Sequence, residues 1–156
     1  AVGGEAERTV LPGPTQGWVE AVAGLGVLDE RDLAAAVGLK VGMLRLLQGS
    51  ADPNPEEKMR VIIAAEVARA NDYAKANNHI LAFASTPRWI DRLETLDVPT
   101  LVIHGTEDIV LPYEHGKALA KAIDGAELLT LEGVGHAMPE EGWARLATAI
   151  VKHTAR

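Results

Sequence analysis

The sequence contains no cysteine among its 156 residues, which excludes disulfide bonds, thiolate nucleophiles and zinc sites built on cysteine. It also lacks long apolar runs, since none approaches the roughly 20 residues that a membrane-spanning helix needs. Basic residues are scarce, with 15 Lys and Arg against 22 Asp and Glu, so the net charge is −7. Because there is no basic cluster and no basic, apolar leader, we expect a cytoplasmic protein that binds neither nucleic acid nor membrane.

The chain divides by composition near residue 97. Residues 1–96 are rich in Ala, Leu, Arg and Glu after an irregular lead-in, whereas residues 97–156 contain short apolar runs separated by Gly and His. Apolar residues spaced by three and four predict helices in the first part. We expect Asp29 to cap the second of these helices. The residues expected on buried helix faces are Trp18, Val19, Val22 and Ala23, then Leu33, Ala36, Val37, Val41, Leu44 and Leu47, and finally Met59, Ile62, Ile63, Val67 and Ala70.

Residues 97–156 alternate between strand and helix patterns. Apolar runs at 98–103 and 128–131 predict two strands, and helices are expected to begin at Pro112 and Pro139. This order predicts the α/β class, a βαβα unit with parallel strands and a right-handed crossover. Two parallel strands do not form a stable sheet by themselves, and the upstream part has helical patterns only. We therefore expect the chain to be part of a larger fold in which another segment pairs with the first strand.

Two polar loops follow the predicted strands, at the edge where parallel sheets place functional groups. The first contains His104 and Asp108, and the second contains His136. A carboxylate can orient a neighbouring imidazole and stabilise its protonated form, while the imidazole acts as a general base. Asp108 and His136 are therefore candidate catalytic residues, with helix capping and a turn role as the structural alternatives. We expect His104 to be a packed structural residue, and no spacing of His and carboxylates suggests a metal site.

Two segments carry a resemblance to a known family. Residues 98–112, VPTLVIHGTEDIVLP, resemble the seventh strand and acid loop of the α/β-hydrolase fold, and residues 132–139, EGVGHAMP, resemble its histidine loop. The resemblance implies that Asp108 is the acid and His136 the base of a catalytic triad. Among subgroups, the chain is most similar to the aclacinomycin methylesterase type, including the LPGP segment that opens its helical region. The resemblance implies that residues 1–96 are a lead-in and helical cap.

The family places its nucleophile in a G-x-S-x-G turn upstream of the cap, and this sequence departs from that pattern. Its two serines, Ser50 and Ser85, lie in GSADP and FASTP, which do not match. The resemblance therefore implies the C-terminal portion of a serine-dependent hydrolase of small esters that needs no cofactor, with residues 97–156 as the core unit. We expect the nucleophile to belong to an N-terminal portion of the hydrolase, which is either a second polypeptide or has been lost by cleavage. The chain alone is then expected to be inactive.

Two other interpretations stay open. A non-catalytic remnant would self-associate through its open strand edge, pairing with a second copy. A relative with an aspartate nucleophile, such as an epoxide hydrolase or dehalogenase, would share this half, although epoxide hydrolases typically carry two cap tyrosines and only Tyr73 lies upstream of residue 97. For the substrate cavity we expect a lining of Trp18, Phe83 and Met138, with core packing as the alternative role of these side chains.

Overall fold

The computed structural model describes residues 11–24, 32–51, 55–70, 82 and 90–155. No helix within these ranges has both the length and the apolar character needed to cross a membrane. The elements in chain order are α1 (Gln16–Ala23), α2 (Leu33–Gln48), α3 (Glu56–Arg69), a 3-10 turn (Ile90–Thr95), β1 (Leu101–Gly105), α4 (Glu114–Ala122), β2 (Glu127–Leu131), a 3-10 turn (Glu140–Gly142) and α5 (Trp143–Thr154).

Helices α2 and α3 form a pair with its own small core. The residues buried between them are apolar, and the exposed fraction of Met59 is only 2%. Helix α2 is continuous through Gly38 and Gly42. Packing of its apolar residues against α3 stabilises the helix despite the low helix propensity of glycine. The side chain of Asp32 accepts a hydrogen bond from the amide of Ala35 at 2.9 Å and thereby caps α2. The core residues are Val41, Met59, Ile63 and Val67, with Val37 and Leu44 packed against them.

Several sequence-based expectations about the helices are wrong. Asp29 was expected to cap α2, but Asp32 does so because it lies directly before the first helical residue, and Asp29 itself is outside the described residues. Helical spacing identifies an apolar face, but it does not supply a surface that covers that face. Ala23 and Ala70, which were expected to be buried, are therefore exposed. Four larger residues of the predicted buried faces also leave about half of their surface exposed: Val19 (48%), Val22 (40%), Leu33 (52%) and Ile62 (54%).

The βαβα unit that the sequence predicts is confirmed. Strands β1 and β2 pair in parallel, with Leu101 opposite Glu127 and Gly105 opposite Leu131. Helix α4 connects them and packs on both strands. The first strand begins three residues later than expected, because Val98 and Pro99 lie in a bend in which the Thr100 hydroxyl donates to the carbonyl of Val98 at 3.0 Å. Both strands end at the same edge, and this places the two polar loops side by side.

One edge of the sheet and one face of the last helix are uncovered in the described part of the chain. Strand β1 pairs with β2 on one side and has no described strand on the other. Helix α5 has apolar residues spaced by three and four along one side, yet none of its residues is buried. Trp143, Ile150 and Val151 expose 57%, 43% and 66% of their surface. These features agree with the expectation that further chain completes the sheet and its covering layers.

Candidate active site

The acid loop (residues 106–112) follows β1, and the histidine loop (residues 132–138) follows β2. Hydrogen bonds join the two loops directly. The amide of Glu107 donates to the carbonyl of Val134 at 2.9 Å, and the hydroxyl of Thr106 accepts from the amide of Gly133 at 2.9 Å. Because these bonds fix the two backbones relative to one another, the side chains that the loops carry also have a fixed separation.

The loops bring Asp108 and His136 into direct contact. The imidazole Nδ1 of His136 donates to Oδ2 of Asp108 at 2.8 Å. The other carboxylate oxygen accepts from the amides of Val110 and Leu111 at 2.9 and 2.8 Å. Only 7% of the Asp108 side chain is exposed, whereas 40% of the His136 side chain is exposed. A buried carboxylate thus holds the inner nitrogen of a ring that reaches solvent.

This arrangement defines what the pair can do chemically. Since Nδ1 of His136 carries the proton that Asp108 accepts, the neutral ring has its lone pair on Nε2. That nitrogen can take a proton from a hydroxyl, and the adjacent carboxylate then stabilises the resulting imidazolium. The capping alternative for Asp108 is not what the structure shows, because its Oδ1 bonds to amides within its own loop, before α4 begins at Glu114.

His104 is packed under this pair, as expected for a structural residue. Its Nε2 donates to the carbonyl of Leu111 at 2.8 Å and lies 3.5 Å from Oδ2 of Asp108. The ring meets Tyr113 edge-on, with 6.0 Å between ring centroids. The Tyr113 hydroxyl is hydrogen-bonded to the hydroxyl of Thr130 on β2 at 2.5 Å. His104, a residue of β1, therefore ties the acid loop to the strand through its hydrogen bond to Leu111.

Two cavities adjoin Asp108, and they test the expected lining residues. A cavity of about 250 Å³ has His136 and Met138 in its lining, and the role of Met138 in substrate binding stays a prediction. A larger cavity of about 720 Å³ lies between the acid loop and the helical region, where Arg45 of α2 contributes to its wall. Trp18 lines neither cavity and is half-buried on α1. Phe83 lies outside the described residues.

The structure also reveals contacts that sequence reasoning missed. Ser50 lies in a segment that does not match the nucleophile motif, and the sequence indicates no other role for it. In the structure its amide and its hydroxyl donate to the carboxylate of Glu107 at 2.7 and 2.6 Å. The end of α2 is hydrogen-bonded to the histidine loop, through the amide of Gly135 to the carbonyl of Gln48 at 2.7 Å. The loop motifs mark Glu107 only as a neighbour of Asp108, and no pattern in the sequence indicates a partner 57 residues away.

The Glu107 contact is expected to appear in the acid dependence of stability. The hydroxyl and then the amide of Ser50 hold the pKa of Glu107 below its ordinary value of 4.5. A carboxyl whose pKa is lower in the folded state adds stability above its unfolded pKa, and that stability is lost as the pH falls through the folded pKa. We expect the difference in unfolding free energy between the unmodified protein and Glu107→Gln to be greatest near neutral pH and to shrink below about pH 4.5. Urea titrations across this range measure it, and a difference that does not change with pH would contradict the expectation.

Comparison with known proteins identifies the family. Residues 65–149, more than half of the chain, match the family model described as TAP-like protein, an α/β-hydrolase family. The chain belongs to the α/β-hydrolase superfamily. The fold class predicted from the two loop motifs is thus confirmed, and the sheet described above is a part of that fold.

Individual relatives are esterases and related hydrolases. The chain is 30% identical to rhodomycin D methylesterase DnrP of Streptomyces peucetius over 156 residues, which are 99% of this chain and 51% of that protein. It is similar to the solved structure of a thermophilic esterase from Thermogutta terrifontis, with 28% identity, a TM-score of 0.53, and coverage of 79% of this chain and 47% of that one. A meta-cleavage product hydrolase, CumD, shares the fold at 20% identity and a TM-score of 0.64, with 87% and 49% covered. The chain spans about half the length of these relatives.

Proposed function

We propose that this sequence supplies the acid and the base of a Ser-His-Asp triad that hydrolyses a carboxylic ester. The observation that carries the proposal is the 2.8 Å hydrogen bond from Nδ1 of His136 to the buried carboxylate of Asp108. Such a pair matches the base and acid of the triad in geometry and in chemistry. The similarity to a methylesterase over nearly the whole chain supports an ester as the substrate class.

In the proposed reaction, a serine hydroxyl attacks the ester carbonyl while Nε2 of His136 takes its proton. The tetrahedral intermediate collapses, the C–O bond to the alcohol breaks, and the imidazolium returns the proton to the departing alkoxide. Water then attacks the acyl-serine with the same base, releasing a carboxylic acid and restoring the serine. Asp108 keeps the proton of His136 on Nδ1 throughout and stabilises the ring when it is charged. No step requires a cofactor.

The proposed serine lies outside this sequence. The hydroxyl of Ser50 donates to Glu107, not to His136, and Ser85 is outside the described residues. A further segment that supplies the nucleophile also agrees with the open edge of β1 and the exposed face of α5. Relatives about twice as long have room for that segment. By this proposal the 156 residues alone do not turn over esters, because triad members act as a unit.

Replacing Asp108 by asparagine tests the role of the acid. An amide at this position can donate to Nδ1 and thereby stabilise the tautomer whose Nε2 carries the proton, which cannot act as the base. We expect kcat for a p-nitrophenyl ester to fall by about 10⁴-fold in the natural full-length protein, with the fold retained. The matched control is Asp124→Asn, since Asp124 is exposed in the turn after α4. Equal rates for the two variants would refute the proposed role of Asp108.

A further inference from the structure

We propose that Glu107 is a positioning residue for His136, acting through Ser50 and the C-terminal end of α2. The inference rests on the proposed function, and it assigns Glu107 an effect on the same site that is transmitted through the end of α2 and the histidine loop. Glu107, Ser50, the end of α2 and residues 133–137 are called the clamp below. Each of its contacts is between segments that are far apart in the sequence.

The backbone on both sides of His136 is bound to α2. The amide of Gly135 donates to the carbonyl of Gln48 at 2.7 Å, and the amide of Ala137 donates to the carbonyl of Leu47 at 2.8 Å. The last carbonyls of a helix have no partner within the helix, so they can accept hydrogen bonds from the backbone of another segment. The histidine loop satisfies two of them. Because the bonds flank the base, the end of α2 sets the position of its Cα atom.

This contact requires two glycines. At Gly49, directly after α2, φ is +80°, a conformation that residues with a side chain rarely adopt. A Cβ on Gly49 would lie 2.6 Å from the amide nitrogen of Gly135, and a Cβ on Gly135 would lie 2.8 Å from the carbonyl carbon of Gln48. The two backbones therefore touch without an intervening side chain, and a displacement of one is transmitted to the other.

Glu107 fixes the chain just beyond this contact. Its carboxylate accepts from both the amide and the hydroxyl of Ser50, and its own amide donates to Val134. The amide of Ala51 also donates to the carbonyl of Gly133 at 2.8 Å. Since Glu107 directly precedes the acid Asp108, one residue connects the acid loop, the histidine loop and the end of α2. Hydrogen bonds to a charged group are stronger than neutral ones, so this residue can hold the three segments in register.

The reaction rate is therefore expected to depend on the position of the C-terminal end of α2 relative to the histidine loop. The base must stay within hydrogen-bond distance of Asp108 and in line with the nucleophile, and displacements near 1 Å are enough to lower a rate substantially. Loss of the Glu107–Ser50 bonds frees the end of α2, and residues 135–137 move with it. A purely local role, in which Glu107 only tethers an exposed turn, would leave the histidine loop unaffected.

Hydrogen exchange in the natural full-length protein distinguishes these roles. The variants are Ser50→Ala, which removes the hydroxyl, Glu107→Gln, which removes the charge, and their combination. We expect the amides of Gly135 and Ala137, which donate to α2, to exchange about 10-fold faster in each single variant, as loss of one net hydrogen bond to a charged group implies. The effect of the double variant is expected to be smaller than the product of the single effects, because both changes weaken the same Glu107–Ser50 contact. Ser50→Thr retains the hydroxyl and is expected to restore slow exchange.

Kinetics provide the second measurement. With a p-nitrophenyl ester, we expect Ser50→Ala to lower kcat by roughly 10-fold while KM stays nearly constant, because Ser50 lines neither cavity beside Asp108 and only the base is displaced. Glu107→Gln is expected to lower kcat to a similar extent, and a change of KM in that variant alone reports the part of Glu107 that lines the larger cavity. The matched control is Glu66→Gln, which removes the 3.0 Å ion pair between Glu66 and Lys40 within the helical region. That variant is expected to leave both kcat and the exchange of the Gly135 and Ala137 amides unchanged.

The outcomes separate the two proposals. Unchanged exchange at Gly135 and Ala137 in both single variants, or an equal change in Glu66→Gln, would overturn the positioning role of Glu107. If the unmodified protein does not hydrolyse esters, the proposed function fails, yet the exchange measurement still decides whether the clamp holds the histidine loop. Faster exchange with unchanged kcat in an active enzyme would show a clamp that does not position the base.

Discussion

Under the proposed function, replacing His136 by alanine is expected to lower kcat for ester hydrolysis by about 10⁶-fold in a protein that also supplies the serine nucleophile. The imidazole is the only described group bound to the buried carboxylate of Asp108 that also reaches solvent, so no neighbour can assume its role. His104 is 3.5 Å from the same carboxylate oxygen, but its Nε2 proton is donated to the carbonyl of Leu111. The residual rate is expected to remain about 10³- to 10⁴-fold above the reaction in water, from binding and electrostatic stabilisation.

The matched control for this variant is His115→Ala. His115 lies on α4 and its Nε2 donates to the carbonyl of Pro12 at 2.8 Å, away from the carboxylate. Stopped-assay rates with a p-nitrophenyl ester, together with a denaturation curve for each variant, separate loss of the base from loss of the fold. Retention of more than about a hundredth of the original kcat in His136→Ala would exclude the residue as the triad base.

Replacing Gly135 by alanine is expected to lower the stability of the fold strongly. Its new methyl group would overlap the end of α2, and the flanking hydrogen bonds to the carbonyls of Leu47 and Gln48 cannot form at their present lengths. Overpacking typically costs 1–3 kcal/mol, and a buried carbonyl left without a donor adds to that cost. We expect the free energy of unfolding to fall by about 3 kcal/mol, as measured by urea denaturation.

A second glycine-to-alanine change provides the comparison. Gly42 is exposed in the middle of α2, and a Cβ there would have no atom within 4 Å. Alanine is the better helix former, so Gly42→Ala is expected to raise the free energy of unfolding by about 0.5–1 kcal/mol. Similar effects of the two substitutions would mean that the contact between α2 and the histidine loop contributes little to the stability of the fold.

The parts of the fold that depend on nearby residues were predictable. Apolar runs bounded by Gly and Pro located both strands to within a few residues, and the parallel pairing followed from the helix between them. The contact between Asp108 and His136 was also predictable, because parallel strands end at one edge and each residue follows its strand closely. Their catalytic roles remain a prediction from the family resemblance and from this geometry.

What could not be predicted depends on residues distant in the sequence. Ser50 follows a Gly and precedes a Pro-containing turn, a pattern typical of a helix stop, and nothing local indicates that Glu107 binds it. Which apolar residues are buried could not be predicted for a related reason. Amphipathic spacing on α1 and α5 shows which side of the helix is apolar, but not whether another surface packs against it. Trp143 has the expected spacing and still exposes 57% of its surface.

The clamp also bears on how new enzymes can be assembled from this family. If the helical region is a cap, as proposed, it is an obvious module to exchange between relatives in order to change substrate preference. A graft junction placed between α2 and Ala51 would bring a foreign helix end against the native histidine loop, with no matched serine for Glu107. Chimeras should therefore keep the end of α2, Gly49 and Ser50 with the core that supplies the acid and histidine loops. Graft boundaries in this protein should therefore follow the hydrogen bonds around His136 and not the ends of the helical region.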